Sequence, residues 1–170
     1  MQSRSEFRVK KNELPILADA VGIPAVFYCP QRSVCGGMQG LCMVLERLAY
    51  PCRYSDMIAR FGRSVPELSI LTNVVIDWIY HEHSHRLSDL VNQPFLSRAC
   101  LRAYADTVHE KGAALNNRWG FINGTVRPIC RPNEHQRIVY NGHKCVHALK
   151  FQSIVTPNGL IANLYGPVGK

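Results

Sequence analysis

Asn123 is the one polar side chain closing an apolar run, Trp119-Gly120-Phe121-Ile122, and Gly124 follows it. The run reads as a short buried strand, and the glycine lets backbone or ligand come close. A polar group at such a strand end can hold a metal or act in catalysis. It also suits a turn, and by residue type alone Asn123 is a turn residue more often than a site. Three histidine groupings compete with it. Cys130, His143 and His147 reproduce the second half of a zinc-finger spacing, but Val126-Arg127-Pro128 stands where the upstream cysteine pair belongs. His143, Cys145 and His147 could share one strand face, with nothing else to complete a site. His81-Glu82-His83-Ser84-His85 could ligate a transition metal if extended, yet a solvated helix end is the commoner fate of such a cluster.

The acid inventory limits the chemistry further. Two-metal phosphodiester cleavage needs several carboxylates, because hard divalent cations take anionic oxygen ligands and must be held about 4 Å apart. From Thr107 to the last residue there is no Asp, and Glu110 and Glu134 are the only acids. The bases are placed unevenly within a formal net charge of +8: residues 1–11 carry +3, residues 12–117 carry −1 and residues 118–170 carry +6. A basic final third suits a polyanion, and Arg127, Arg131, Arg137, Lys144 and Lys150 are the side chains expected to meet phosphate. The plainer alternative is a set of solvated surface charges. The seven cysteines show no paired spacing, the start is polar and charged, and no apolar run is long enough to span a membrane. Reduced thiols in a cytosolic or nuclear protein are expected.

These residues must be positioned by two kinds of element. Residues 13–21, 38–49, 55–61, 64–81 and 94–111 carry helical periodicity. In order, their inward faces are Leu14, Leu17, Ala18 and Val21; Leu41, Leu45 and Leu48; Ile58 and Phe61; Leu68, Leu71, Val75, Trp78 and Ile79; Leu101, Tyr104 and Val108. Residues 27–37 read as loop. Ser64-Val65-Pro66-Glu67 is a capping-box sequence, and Ser97 caps the last helix. Short helix, Gly62 turn and longer helix form a helix-turn-helix-like hairpin, with Ser69, Thr72, Asn73 and Asp77 on its outer face. Thr72 and Asn73 are the candidate base contacts there. Strands follow at 119–122, 145–155 and 160–165, the last two joined through Thr156-Pro157-Asn158-Gly159, a hairpin signal. The expected class is α+β: a basic arm (1–12), a helical domain (13–115) and a sheet domain (116–170).

Gly120-Phe121-Ile122-Asn123-Gly124-Thr125, Tyr140-Asn141-Gly142-His143-Lys144 and Asn163-Leu164-Tyr165-Gly166-Pro167 together resemble the PIF/Harbinger family of transposase-derived nucleases. Pro51-Cys52-Arg53-Tyr54 and Phe61-Gly62-Arg63-Ser64 extend the likeness over most of the chain after about residue 12. The resemblance implies an RNase H-like (DDE transposase) fold of which residues 116–170 are the opening three strands, an incomplete domain. It implies a divalent metal (Mg²⁺ or Mn²⁺), DNA as partner, a Myb/SANT-like accessory DNA-binding protein and a nuclear location. The family's first metal-binding Asp falls at Asn123, and its later acids have no counterpart here. The expectation is a family member that does not cleave. Two alternatives stand beside it: a non-catalytic DNA-binding protein using the helical half, or a decayed gene product.

Overall fold

The structure is a computed structural model that describes residues 7–91 and 93–169. It is a mixed α+β chain, helices first and an antiparallel sheet after, in two compact units, residues 1–82 and 83–170. The basic-arm reading falls partly outside the described residues. Within them, Lys10 pairs with Glu13 at 3.4 Å and the Arg60 guanidinium lies 5.7 Å from the Phe7 ring.

The first unit holds α1 (Leu14–Val21), β1 (Val26–Tyr28), β2 (Val34–Gly36), α2 (Gly37–Ala49), α3 (Tyr54–Phe61) and α4 (Val65–His83). Residues 27–37, read as loop, contain an antiparallel ribbon in which Phe27 pairs with Cys35. Pro30 and Gly36-Gly37 gave the loop signal, but Phe27 and Cys35 are buried between solvent-facing neighbours, and that burial holds the ribbon. Gly37 and Gly40 set the packing of α2. A Cβ at Gly37 would lie 1.9 Å from the Pro24 carbonyl oxygen, and one at Gly40 would lie 2.9 Å from Val75 Cγ2. The helix therefore presses these glycines with Leu41 and Val44 against the core, and Leu48, expected inside, is 71% exposed.

In α3 the buried residue is Met57, while Ile58, expected inside, is exposed. Asp56 accepts from the Arg53 backbone N–H at 2.9 Å, capping this helix, and Gly62 at φ 64° ends it in the left-handed conformation. On α4, Leu68, Leu71 and Val75 are buried as their spacing predicts. They join Cys29, Cys35, Met43, Cys52 and Met57 in one cluster, and Phe27 and Val44 in another. Phe27 meets Trp78 edge to face at 5.9 Å. Burial pushes the Cys29 and Cys35 thiols up, an effect the Arg63 guanidinium partly offsets, so they stay neutral and pack as small apolar groups.

Arg63 ties the Gly62 turn to the rest of the unit. It donates to the Val34 carbonyl at 3.0 Å, to Gln39 Oε1 at 3.1 Å, and to Glu67. Glu67, expected to complete a capping box with Ser64, is thus engaged by Arg63. Arg63→Ala is expected to destabilise the unit by about 1.5–3 kcal/mol, the range for hydrogen bonds to a charged group, moderated by its partial exposure. Urea denaturation of the full chain measures it, and a change below about 0.5 kcal/mol would deny the contacts any weight.

The second unit opens with a helical turn at His85–Ser88 and a 3₁₀ turn at Pro94–Leu96, followed by α5 (Arg98–Glu110). Ser97 caps α5 as expected, its Oγ accepting from the Cys100 N–H at 3.3 Å, with Ala105 and Val108 buried. The sheet comprises β3 (Phe121–Pro128), β4 (Tyr140–Asn141), β5 (Val146–Val155) and β6 (Ile161–Val168), with β5 flanked by β3 and β6 and all pairings antiparallel. The sequence-based boundary at 115/116 separates α5 from this sheet, whereas the compact units divide after Glu82. The physical reason lies in cross-links within the second unit. Asn158 Nδ2 donates to the Tyr104 hydroxyl at 2.9 Å, and Asn163 Nδ2 donates to the Leu87 carbonyl at 2.9 Å. The β5–β6 hairpin turns where expected, with Gly159 at φ 84° and the Thr156 hydroxyl 2.5 Å from Asn158 Oδ1.

Candidate nucleic-acid interface

β3 differs from its expected form in a way that changes Asn123. The expected strand stops at Ile122, with Asn123 at its end and Gly124 in a turn. The observed strand runs on to Pro128, so Asn123 is neither a strand end nor a turn residue. It pairs with Ser153 in the middle of the β3–β5 ladder, and Gly124 pairs with Gln152. The long partner strand accounts for this: β5 offers a full row of backbone groups that Asn123 and Gly124 satisfy by staying extended.

Directly opposed residues share a face of the sheet. Asn123 therefore lies beside Ser153 and on the same face as Thr125 and Phe151, and it is exposed. The donors around it are an amide and a hydroxyl, with no carboxylate across the ladder. Hard divalent cations require anionic oxygens, so these residues do not fit the paired metals that the family resemblance implies. Among the described residues, no group of three His, Cys, Asp or Glu side chains is gathered closely enough to hold a metal ion. His81 and His83 lie in the last turn of α4 and His85 begins the next turn, which is the helix-end reading of that cluster.

The same register sorts the basic residues. Arg127 opposes Leu149, and Lys150 opposes Val126, so Arg127 and Lys150 point from opposite faces and cannot serve one surface together. Lys144 sits in the exposed turn before β5, its backbone N–H donating to Asn141 Oδ1 at 3.1 Å. Arg131 and Arg137 are brought together. They line an open cleft of about 510 Å³ with Gln136, Tyr140 and His147. Arg131 Nε donates to Gln136 Oε1 at 2.9 Å, which orients the guanidinium of this exposed side chain. Tyr140 opposes His147 across the β4–β5 pairing, and their rings meet edge to face at 5.3 Å. His147 precedes Leu149 by two positions, so it shares Arg127's face of the sheet. Three of the five expected phosphate contacts thus belong with one ring pair on one side of the unit.

Tyr140 and His147 are not among the nucleic-acid contacts expected from sequence. The signal was present in Asn141-Gly142, a turn dipeptide that folds Tyr140 back toward β5. The helical half fares differently. Thr72, expected on the outer face of α4, is 1% exposed and its hydroxyl donates to the Leu68 carbonyl at 2.6 Å. Helical spacing turns Thr72 inward, since position 72 shares a face with the buried positions 68, 71 and 75. Asn73 is exposed, as expected, beside Asp77 and Tyr80. The whole of α4 contains no Lys or Arg and has three acids, Glu67, Asp77 and Glu82. Residues 1–82 carry a net charge of +1 and residues 83–170 carry +7. The arrangement that can neutralise phosphate lies in the second unit.

In comparisons with known proteins, no family model, no curated protein and no solved structure matches this chain.

Proposed function

We propose that this chain is a DNA-binding relative of the Harbinger-type transposase-derived nucleases that does not cleave DNA, and that it holds DNA on the Arg131–Arg137 cleft of its second unit. The observation that carries the reading is the meeting of these arginines with Tyr140 and His147 in one cleft whose described lining residues include no acid, in the unit that carries nearly all the excess positive charge. Counterion release from a polyanion rewards such a surface. The β3–β5–β6 arrangement, three successive long strands in an antiparallel meander with the second in the middle, supports its assignment as the opening of an RNase H-like sheet. A nuclear location and a Myb/SANT-like accessory partner go with this ancestry. Base contacts by α4, the alternative, have less support because Thr72 is buried and the helix has no Lys or Arg.

Duplex binding by the full chain, measured by fluorescence anisotropy over a range of salt, tests the proposal. The expected log–log slope is about −2 to −3, from Arg127, Arg131 and Arg137 at about −0.9 per phosphate neutralised. Binding undetectable for duplex and single strand alike, or binding indifferent to salt, would contradict it.

Asn123→Asp restores the acid at the family position without supplying a partner. Nicking of supercoiled DNA with Mg²⁺ or Mn²⁺ should stay undetectable for both proteins, and the exposed substitution should change stability by less than about 0.5 kcal/mol. Metal-dependent nicking by either one would sink the non-cleaving half of the proposal.

A further inference from the structure

We infer that the cleft takes single-stranded polynucleotide, with an unpaired base stacked on Tyr140 and the flanking phosphates on Arg131 and Arg137. The inference rests on the DNA-binding reading and specifies its ligand. Tyr140 is 40% exposed while held edge to face by His147, so one part of its ring is fixed and another is open to solvent. An anchored, half-exposed ring loses little freedom when a base stacks on it, and every base has a face to offer. The two arginines stand on the same cleft as the ring, and no carboxylate among the described lining residues repels a phosphate.

A duplex buries its base faces in its own stack, so it can use the arginines but not the ring. A splayed single strand can use both.

The test uses the full chain with a labelled oligo-dT of about 12 nucleotides, a length within the usual span of such grooves, and a duplex of equal length. Wild-type protein should prefer the single strand. Tyr140→Leu should weaken single-strand binding about 5- to 100-fold, the range for losing one stacked base, and should weaken duplex binding by a clearly smaller factor. Tyr140→Phe should retain the preference, because the ring face survives. Photo-crosslinking of wild-type protein to an iodouracil-substituted strand should place the adduct on Tyr140, a readout that needs no folded variant.

A wild-type preference for duplex, equal losses for both ligands, or an adduct placed elsewhere would overturn the inference while duplex binding kept the broader reading alive. Failure of both ligands to bind would overturn both.

Discussion

Gly37→Ala is expected to remove a large share of the stability of the helical unit, whereas Gly36→Ala, one residue away, should be nearly silent. A methyl at position 37 would sit 1.9 Å from the Pro24 carbonyl oxygen and 2.9 Å from Ile23 Cγ2, and the nearer obstacle is backbone. No rotamer change relieves it; α2 must shift from the segment before β1, and the Gly37 N–H, which donates to the Ala25 carbonyl at 2.8 Å, moves with it. Overpacking a core typically costs about 1–3 kcal/mol, and a backbone obstacle with a lost hydrogen bond belongs at or above the upper end. About 3 kcal/mol is a large share of what a unit of this size holds, and corresponds to a fall of about 12–24 °C in Tm. A Cβ at Gly36 meets nothing within 4 Å, and its backbone is already extended at φ −64° and ψ 141°. Thermal melting followed by circular dichroism compares the two. Equal Tm values would mean that the approach of α2 to the Pro24 carbonyl is not a constraint.

The second large effect concerns binding. Arg131→Gln with Arg137→Gln should lower duplex affinity on the order of 100-fold at low salt, about 10-fold for each charged contact. The salt slope should become shallower by nearly two units, because two fewer counterions are released. Both side chains are exposed, so the circular dichroism and melting of the double variant should match wild type. Lys150→Gln is the internal control. Lys150 points from the opposite face to Arg127, and its loss should change affinity by less than about threefold. Equal effects from Lys150→Gln and the double arginine variant would show a diffuse charge effect in place of a site.

Much of the architecture could be read from residue pattern because short-range physics dictates it. Leu68, Leu71 and Val75 mark the buried side of α4, Ser97 marks the start of α5, and Pro157-Asn158-Gly159 marks the last hairpin. Where long-range packing decides, pattern misleads. Leu48 continues an apolar spacing yet faces solvent, since Gly37 and Gly40 turn a different side of α2 inward. Asn123-Gly124 has the composition of a turn but stays extended, because pairing with Ser153 and Gln152 outweighs local preference. Thr72 has a polar side chain and is buried, since a hydroxyl can satisfy itself on the preceding turn of its own helix.

The candidate site was legible in part for a related reason. Clustered charge is visible without coordinates, so Arg127, Arg131 and Arg137 could be selected along with Lys144 and Lys150. Which of them cooperate depends on strand register, and a shift of one residue could set Arg127 opposite Lys150 on one shared face. The ring pair is a register effect too: Tyr140 and His147 are neighbours only because the Asn141–Cys145 turn sets one opposite the other.

Hydrogen–deuterium exchange of the full chain, with and without a DNA oligonucleotide, measures most directly where DNA is held. The expected result is slowed exchange over residues 129–147, with α4 and its preceding Gly62 turn unchanged. Protection confined to residues 62–83, with none across 129–147, would contradict the assignment and return DNA binding to the helical half.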